Sequence, residues 1–169
     1  MRATVRLELR DEAGEIIGVR RAKNSVMKSG AEMLADLFTG KSTAAITHMG
    51  VGISGESEEG TFVRDTLTTA GDAPDALTGA TDTTIAPADF TIKADPERRL
   101  VVVQCHATLP KSAAVGTLRE AALLSRAGGE PVVTKLYNRV TFAPIRKQDD
   151  HELTMFWEVT FPYGDLNWL

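Results

Sequence analysis

The chain has 169 residues, 43% of them hydrophobic, with a formal net charge of −4 and a pI near 5.4. That length and apolar content suit one domain, residues 1–169, with a sizeable core, while the acidic and evenly mixed charge argues against general affinity for nucleic acid or an anionic membrane. Its single cysteine, Cys105, cannot close an internal disulfide, and the opening M-R-A-T-V-R-L-E-L-R has no run long enough for a signal peptide or a membrane span, so folding in a reducing cytoplasm is expected.

Ala3, Val5, Leu7 and Leu9 alternate with Arg2, Thr4, Arg6 and Glu8, the period-two pattern of a strand with one wet face. D-E-A-G at 11–14 turns the chain, residues 15–20 return as the second arm of a hairpin, and Arg20, Arg21 and Lys23 lead into a helix. Val26, Gly30, Met33, Leu34, Leu37 and Phe38 form its apolar stripe, opposite Lys28, Glu32 and Asp36. Asn24 or Ser25 is expected to cap its start, and Gly40 to end it in the left-handed conformation. A glycine at position 30 costs about 1 kcal/mol of helix propensity relative to alanine, so its expected use is to let another backbone come close. Residues 45–51 read as a buried strand. From about 53 to 88 the pattern fails: Gly, Ser, Thr, Asp and Pro dominate around Phe62, Val63, Leu67, Leu77 and Ile85, and so long a loop is commonly functional or mobile.

The second half is a succession of strands. Residues 90–93 and 100–109 pair around A-D-P-E-R, and L-V-V-V at the start of the second arm is apolar in both phases, as in a central strand. Strands follow at 117–125, 132–142 and 153–161. In the last, Leu153, Met155, Trp157, Val159 and Phe161 share one face, which pins its register. One helix among many short-turned strands predicts a mainly β (α+β) fold: an antiparallel β-sandwich with one N-terminal amphipathic helix packed on it.

Sites for chemistry are sparse. Gly50-Val51-Gly52-Ile53-Ser54-Gly55 satisfies G-x-G-x-x-G, but E-S-E-E-G-T follows where a dinucleotide turn needs a helix start, and its carboxylates would repel a pyrophosphate. His48, His106 and His151 are far apart in sequence and offer no metal spacing. Cys105 and His106 point to opposite faces of a strand, so the imidazole cannot activate the thiol. Asp149-Asp150 and Glu58-Glu59 read as solvated turn and loop acids, and Glu120, which interrupts the apolar set Leu118, Ala121 and Leu123, as a solvated strand residue beside Arg119 in preference to a member of an interface ion pair. No enzyme, cofactor or metal is expected.

The ordered blocks N-S-V-x-x-x-G, D-L-F-T-G, I-T-H-M-G-V-G-I-S-G, R-D-T-L, T-L-R-E-A-A-L-L, L-Y-N-R-V-T-F-A-P-I-R-K and E-L-T-M-F-W-E-V-T-F resemble structural proteins of phage tails, including tail-collar fibre and baseplate-associated proteins and those of contractile injection particles. Ala121-Ala122-Leu123-Leu124 stands where that group often has a glycine before its leucine. The resemblance implies a virion or particle component, assembled in the host cytoplasm as a collar, baseplate or fibre-attachment subunit, with other particle proteins as partners and a homo-oligomeric state, but no nucleic acid and no membrane. From the residues themselves, the apolar tail in 162–169, with Tyr163, Leu166, Trp168 and Leu169, is expected to dock on this domain or a neighbour. The segment Phe62, Val63, Leu67 is expected to anchor a loop whose middle, 68–84, stays polar and exposed. The alternative is a small-molecule or carbohydrate-binding β-sandwich module, which would need a platform of exposed aromatics.

Overall fold

A computed structural model describes residues 2–58, 60–71, 75–128 and 130–164. Among them the fold is mainly β: two antiparallel five-stranded sheets and one α-helix. The first sheet takes β1 (Arg2–Arg10), β2 (Ile16–Lys23), β6 (Phe90–Asp95), β7 (Leu100–Leu109) and β10 (Glu152–Pro162) in the order β2-β1-β10-β7-β6. The second takes β3 (Ser25–Val26), β4 (His48–Gly52), β5 (Asp82–Thr84), β8 (Gly116–Ala127) and β9 (Val133–Lys147) in the order β3-β9-β8-β4-β5.

Alternation decides which face each strand buries. Val5, Leu7 and Leu9 of β1 lie opposite Trp157, Met155 and Leu153 of β10, which lie opposite Cys105, Ala107 and Leu109 of β7, and all nine are buried. They share one core with Met49 and Val51 of β4, Leu118, Ala121 and Leu123 of β8, and Tyr137, Val140 and Ile145 of β9, so both sheets contribute to it. Each large aliphatic side chain withdrawn in this way contributes about 1.5–3 kcal/mol. Cys105 is a small core residue, as its phase with Val101 and Val103 predicts.

The helix, α1 (Lys28–Phe38), lies along β9. A Cβ on Gly30 would come within 2.0 Å of the Tyr137 carbonyl oxygen, and Ser29 Oγ donates to the Leu136 carbonyl at 2.5 Å, so the glycine does admit a close backbone. Gly40 ends the helix at φ +71°. The start differs from expectation: Met27 occupies the cap position without a side-chain hydrogen bond, because Ser25 and Val26 are drawn into β3 opposite Arg139 and Asn138. The amide group of Asn24 is buried there without a hydrogen-bond partner. The stripe also ends early, since Gly30 and Met33 are buried but Phe38 is 94% exposed.

Two register shifts shape β8. One, between Leu118 and Glu120, rotates the strand so that Ala121 and Leu123 enter the shared core while Glu120, Ala122 and Leu124 turn to the opposite face. At the other, between Leu123 and Leu124, the Asn138 side-chain oxygen accepts from Leu123 N at 2.9 Å.

Candidate interaction surfaces

The opposite face of β8 is covered by the segment after β4. Leu67 packs against a small apolar cluster of Met27, Ala122, Leu124 and Leu136. Beside that cluster stands an ionic network with a buried centre and an exposed rim. Glu120 is 0% exposed and Arg139 2%, and Arg139 Nε meets Glu120 Oε2 at 2.5 Å. The second Glu120 oxygen accepts from the backbone amides of Thr68, at 2.8 Å, and Ser54, at 3.3 Å. Arg139 also pairs with the Glu58 carboxylate and donates to the Glu56 carbonyl at 2.8 Å. Arg64 completes the set, with Glu56 at 2.7 Å and Glu58 at 3.2 Å, and its hydrogen bond to Glu56 raises its already high pKa. Glu120 is therefore not a solvated strand residue. The register shift beside Arg119 aims its carboxylate under the covering segment, where charge must be paired and hydrogen-bonded to be tolerated.

The same geometry accounts for the glycine motif. A Cβ on Gly52 would lie 2.2 Å from Glu120 Oε1 and 2.7 Å from the Thr68 carbonyl, and one on Gly50 would lie 2.9 Å from both Leu67 and Leu124 side chains. The glycines make room for a carboxylate and an apolar contact. Residues 68–71 and 75–84, within the stretch expected to be loose, are tied at several points. Ile53 N donates to Thr68 O at 2.8 Å, Leu77 N to Thr69 O at 3.1 Å, and Thr78 bridges Val115 in both directions. Residues 82–84 form β5, held to β8 by a two-point contact of Arg126 with Asp82 at 3.2 and 2.5 Å. Composition gives no sign of this anchoring, because backbone N–H donors are carried by every residue type except proline.

The candidate interface residues divide. Leu67 is half-buried in the small cluster; Phe62, at φ +50°, accepts from Lys28 N through its carbonyl and stays partly exposed; Val63 is 61% exposed. Tyr163 N donates to the Arg99 carbonyl at 3.0 Å with its side chain exposed, and Leu166, Trp168 and Leu169 lie outside the described residues.

The histidines stand apart. His48 hydrogen-bonds Thr47 at 2.8 Å and Thr84 at 3.3 Å, and burial first, then Arg126, lowers its pKa against the opposing effect of Asp82. His106 stacks on Phe156 on the outer face of the first sheet, away from Cys105, whose thiol burial pushes up to about 12. His151 sits in the β9–β10 turn, 3.2 Å from Gln148 N. Among the described residues no three metal-ligating side chains stand together. A concavity of about 880 Å³ opens on that outer face between Arg6, Lys23, Lys93, Asp89, Phe156 and Glu158. Phe156 is already taken up there by Arg6, 4.6 Å from its ring centre, and by His106.

Comparison with known protein families, with curated proteins and with solved structures gave no match.

Proposed function

We propose that this chain is a structural subunit of a phage tail or tail-like injection particle, a collar, baseplate or fibre-attachment adaptor that works through protein–protein contacts as a homo-oligomer. Its two sheets form an antiparallel β-sandwich, with α1 against one side. The observation that carries this reading is where the blocks of the family resemblance meet. Ser54 from I-S-G, Arg64 from R-D-T-L, Glu120 from T-L-R-E and Arg139 from Y-N-R-V all belong to one ionic network, and Ser25 from N-S-V pairs with Arg139 in the sheet. Weak blocks that are scattered in sequence but joined in one network support a shared architecture better than separate matches would. No substrate-processing constellation is required of a protein that acts by repeated contacts around an axis.

The carbohydrate-binding alternative rests on the outer-face concavity. A sugar platform needs a free aromatic face, and Phe156 lies between Arg6 and His106. Electron microscopy of purified native particles with this chain labelled is the test, together with deletion of residues 163–169, which is expected to weaken assembly more than folding stability. A chain that scatters light as a strict monomer and is missing from purified particles overturns the proposal. Saturable binding on a glycan array would favour the alternative.

A further inference from the structure

The sheets present four edges, and three of them are closed or short. β3 has two residues and β5 three. At β2, Arg20 donates to the carbonyls of Ala143 at 2.8 Å and Pro144 at 2.6 Å, and Ile145 packs against Gly18, so the edge is fastened to β9. The fourth, β6, is six residues long, carries no proline and no register shift, and among the described residues has its substantial contacts with β7 alone. Natural edges of this length are usually blunted, because unpaired backbone groups and exposed apolar side chains invite another strand.

The side chains along β6 point to the identity of that strand. The row Val159, Val103, Ile92 and the row Phe161, Val101, Ala94 run outward from the core across β10, β7 and β6. Val159 is buried, yet Ile92, at the end of its row, is 73% exposed. Phe90, Ile92 and Ala94 therefore form an apolar face that continues the core beyond its cover, and Thr91 and Lys93 form the polar face. From Phe90 to Ala94 such a strand is its own antiparallel complement. With Ile92 opposite Ile92 of a second copy, Phe90 meets Ala94 and Thr91 meets Lys93, so apolar faces apolar and polar faces polar; Asp95 then falls opposite Asp89 at either end, a like-charge pair that weakens the join and limits it to these five residues. A shift by one residue would set Ile92 against Lys93 and turn one sheet over.

We propose that β6 is a self-pairing edge, through which two copies join their first sheets antiparallel about a two-fold axis at Ile92. This deepens the self-association proposed above by naming its surface and rests on that reading. One short strand pair gives a small interface, below the standard size for stable complexes, so the pairing is weak in isolation and gains from repetition in an assembly.

Cross-linking tests both contact and register, since opposed Cα atoms in an antiparallel pair lie about 4.5–5.5 Å apart, within disulfide reach. The only native cysteine is buried, so it does not compete. Under mild oxidation, Ile92→Cys is expected to dimerise at least about tenfold faster than Thr91→Cys or Lys93→Cys alone, and an equimolar mixture of the latter two to cross-link as a heterodimer. Ile92→Lys, at an exposed site that leaves folding intact by circular dichroism, is expected to weaken self-association roughly tenfold in light scattering, a change of about 1.4 kcal/mol. Ile92→Cys no faster than the single controls overturns the β6 pairing, even where light scattering of the unaltered chain still reports oligomers. Fast Ile92→Cys with no Thr91–Lys93 product overturns the register. A unaltered chain that stays monomeric at every concentration overturns the self-association as well.

Discussion

Removing one partner of the Glu120–Arg139 pair should be among the most damaging single changes in the protein. Their side chains are 0% and 1% exposed, so a survivor cannot be rescued by water. Arg139→Leu leaves the Glu120 carboxylate with only the amides of Thr68 and Ser54, and breaking a buried pair from one side costs about 3–5 kcal/mol. Glu120→Leu is milder, because Arg139 keeps Glu58 and the Glu56 carbonyl, but it orphans two backbone donors at about 1 kcal/mol or more each. The double substitution removes both charges and should cost well under the sum, with a coupling of about 2 kcal/mol or more. Urea unfolding followed by circular dichroism measures all four corners of the cycle, and at a slope of about 2–3 kcal/mol/M, the upper part of the usual range for a chain of this size, the Arg139→Leu midpoint should fall by on the order of 1–2.5 M. Limited proteolysis should then cut residues 53–71 in Arg139→Leu well before the unaltered chain. Additive effects within about 0.5 kcal/mol would refute the claim that the pair acts as a unit.

Gly30→Ala, despite a gain of about 1 kcal/mol in helix propensity, should destabilise by a net 1–3 kcal/mol or so, because its Cβ would collide with backbone rather than with a movable side chain; thermal unfolding measures it. His48 has a lowered pKa in the folded state, so below its ordinary value of about 6.5 the unfolded chain binds more protons and stability falls as pH drops; His48→Gln should flatten the dependence between pH 7 and 5 in denaturant titrations. With its thiol buried and its pKa pushed up to about 12, Cys105 should resist a chromogenic disulfide reagent in the native protein and react fully once the chain is unfolded.

The first sheet was legible because β10, most of β1 and the second half of β7 alternate between apolar core residues and mostly polar ones, and alternation is a property of sequence alone. The helix was legible too, including the use of Gly30, since a glycine inside an apolar stripe has few other uses. What alternation could not carry is a bulge. Counting by twos from Leu118 places Glu120 on the core face, while counting back from Ala121 and Leu123 places it outside, and the conflict itself was the signal of a register shift. A second signal lay in A-A-L-L at 121–124, apolar in both phases, which requires cover on both faces of β8. That cover comes from the stretch whose composition reads as a loop. Leu67 and the amides of Ser54 and Thr68 supply it, and backbone amides are the same at every residue, so no pattern distinguishes those that bind a carboxylate from those that bind water.

The route of that stretch bears on how the molecule presents itself to a partner. Fixing each residue's backbone costs about 1–2 kcal/mol, and a segment with few apolar side chains cannot offset this by burial alone. Here the offset comes from strand pairing at β5, from the Thr78–Val115 bridge, and from a network in which two arginines and three glutamates share neighbours. Buried ion pairs add little net stability compared with apolar packing of equal volume, but they tolerate few alternative geometries. A segment held in that way leaves Val63 and part of Phe62 exposed beside the start of α1, where the Phe62 carbonyl accepts from Lys28 N. Under the proposed structural role, a partner that bound there would be spared the ordering cost that a loose loop imposes on a contact, and repetition in an assembly would multiply that saving.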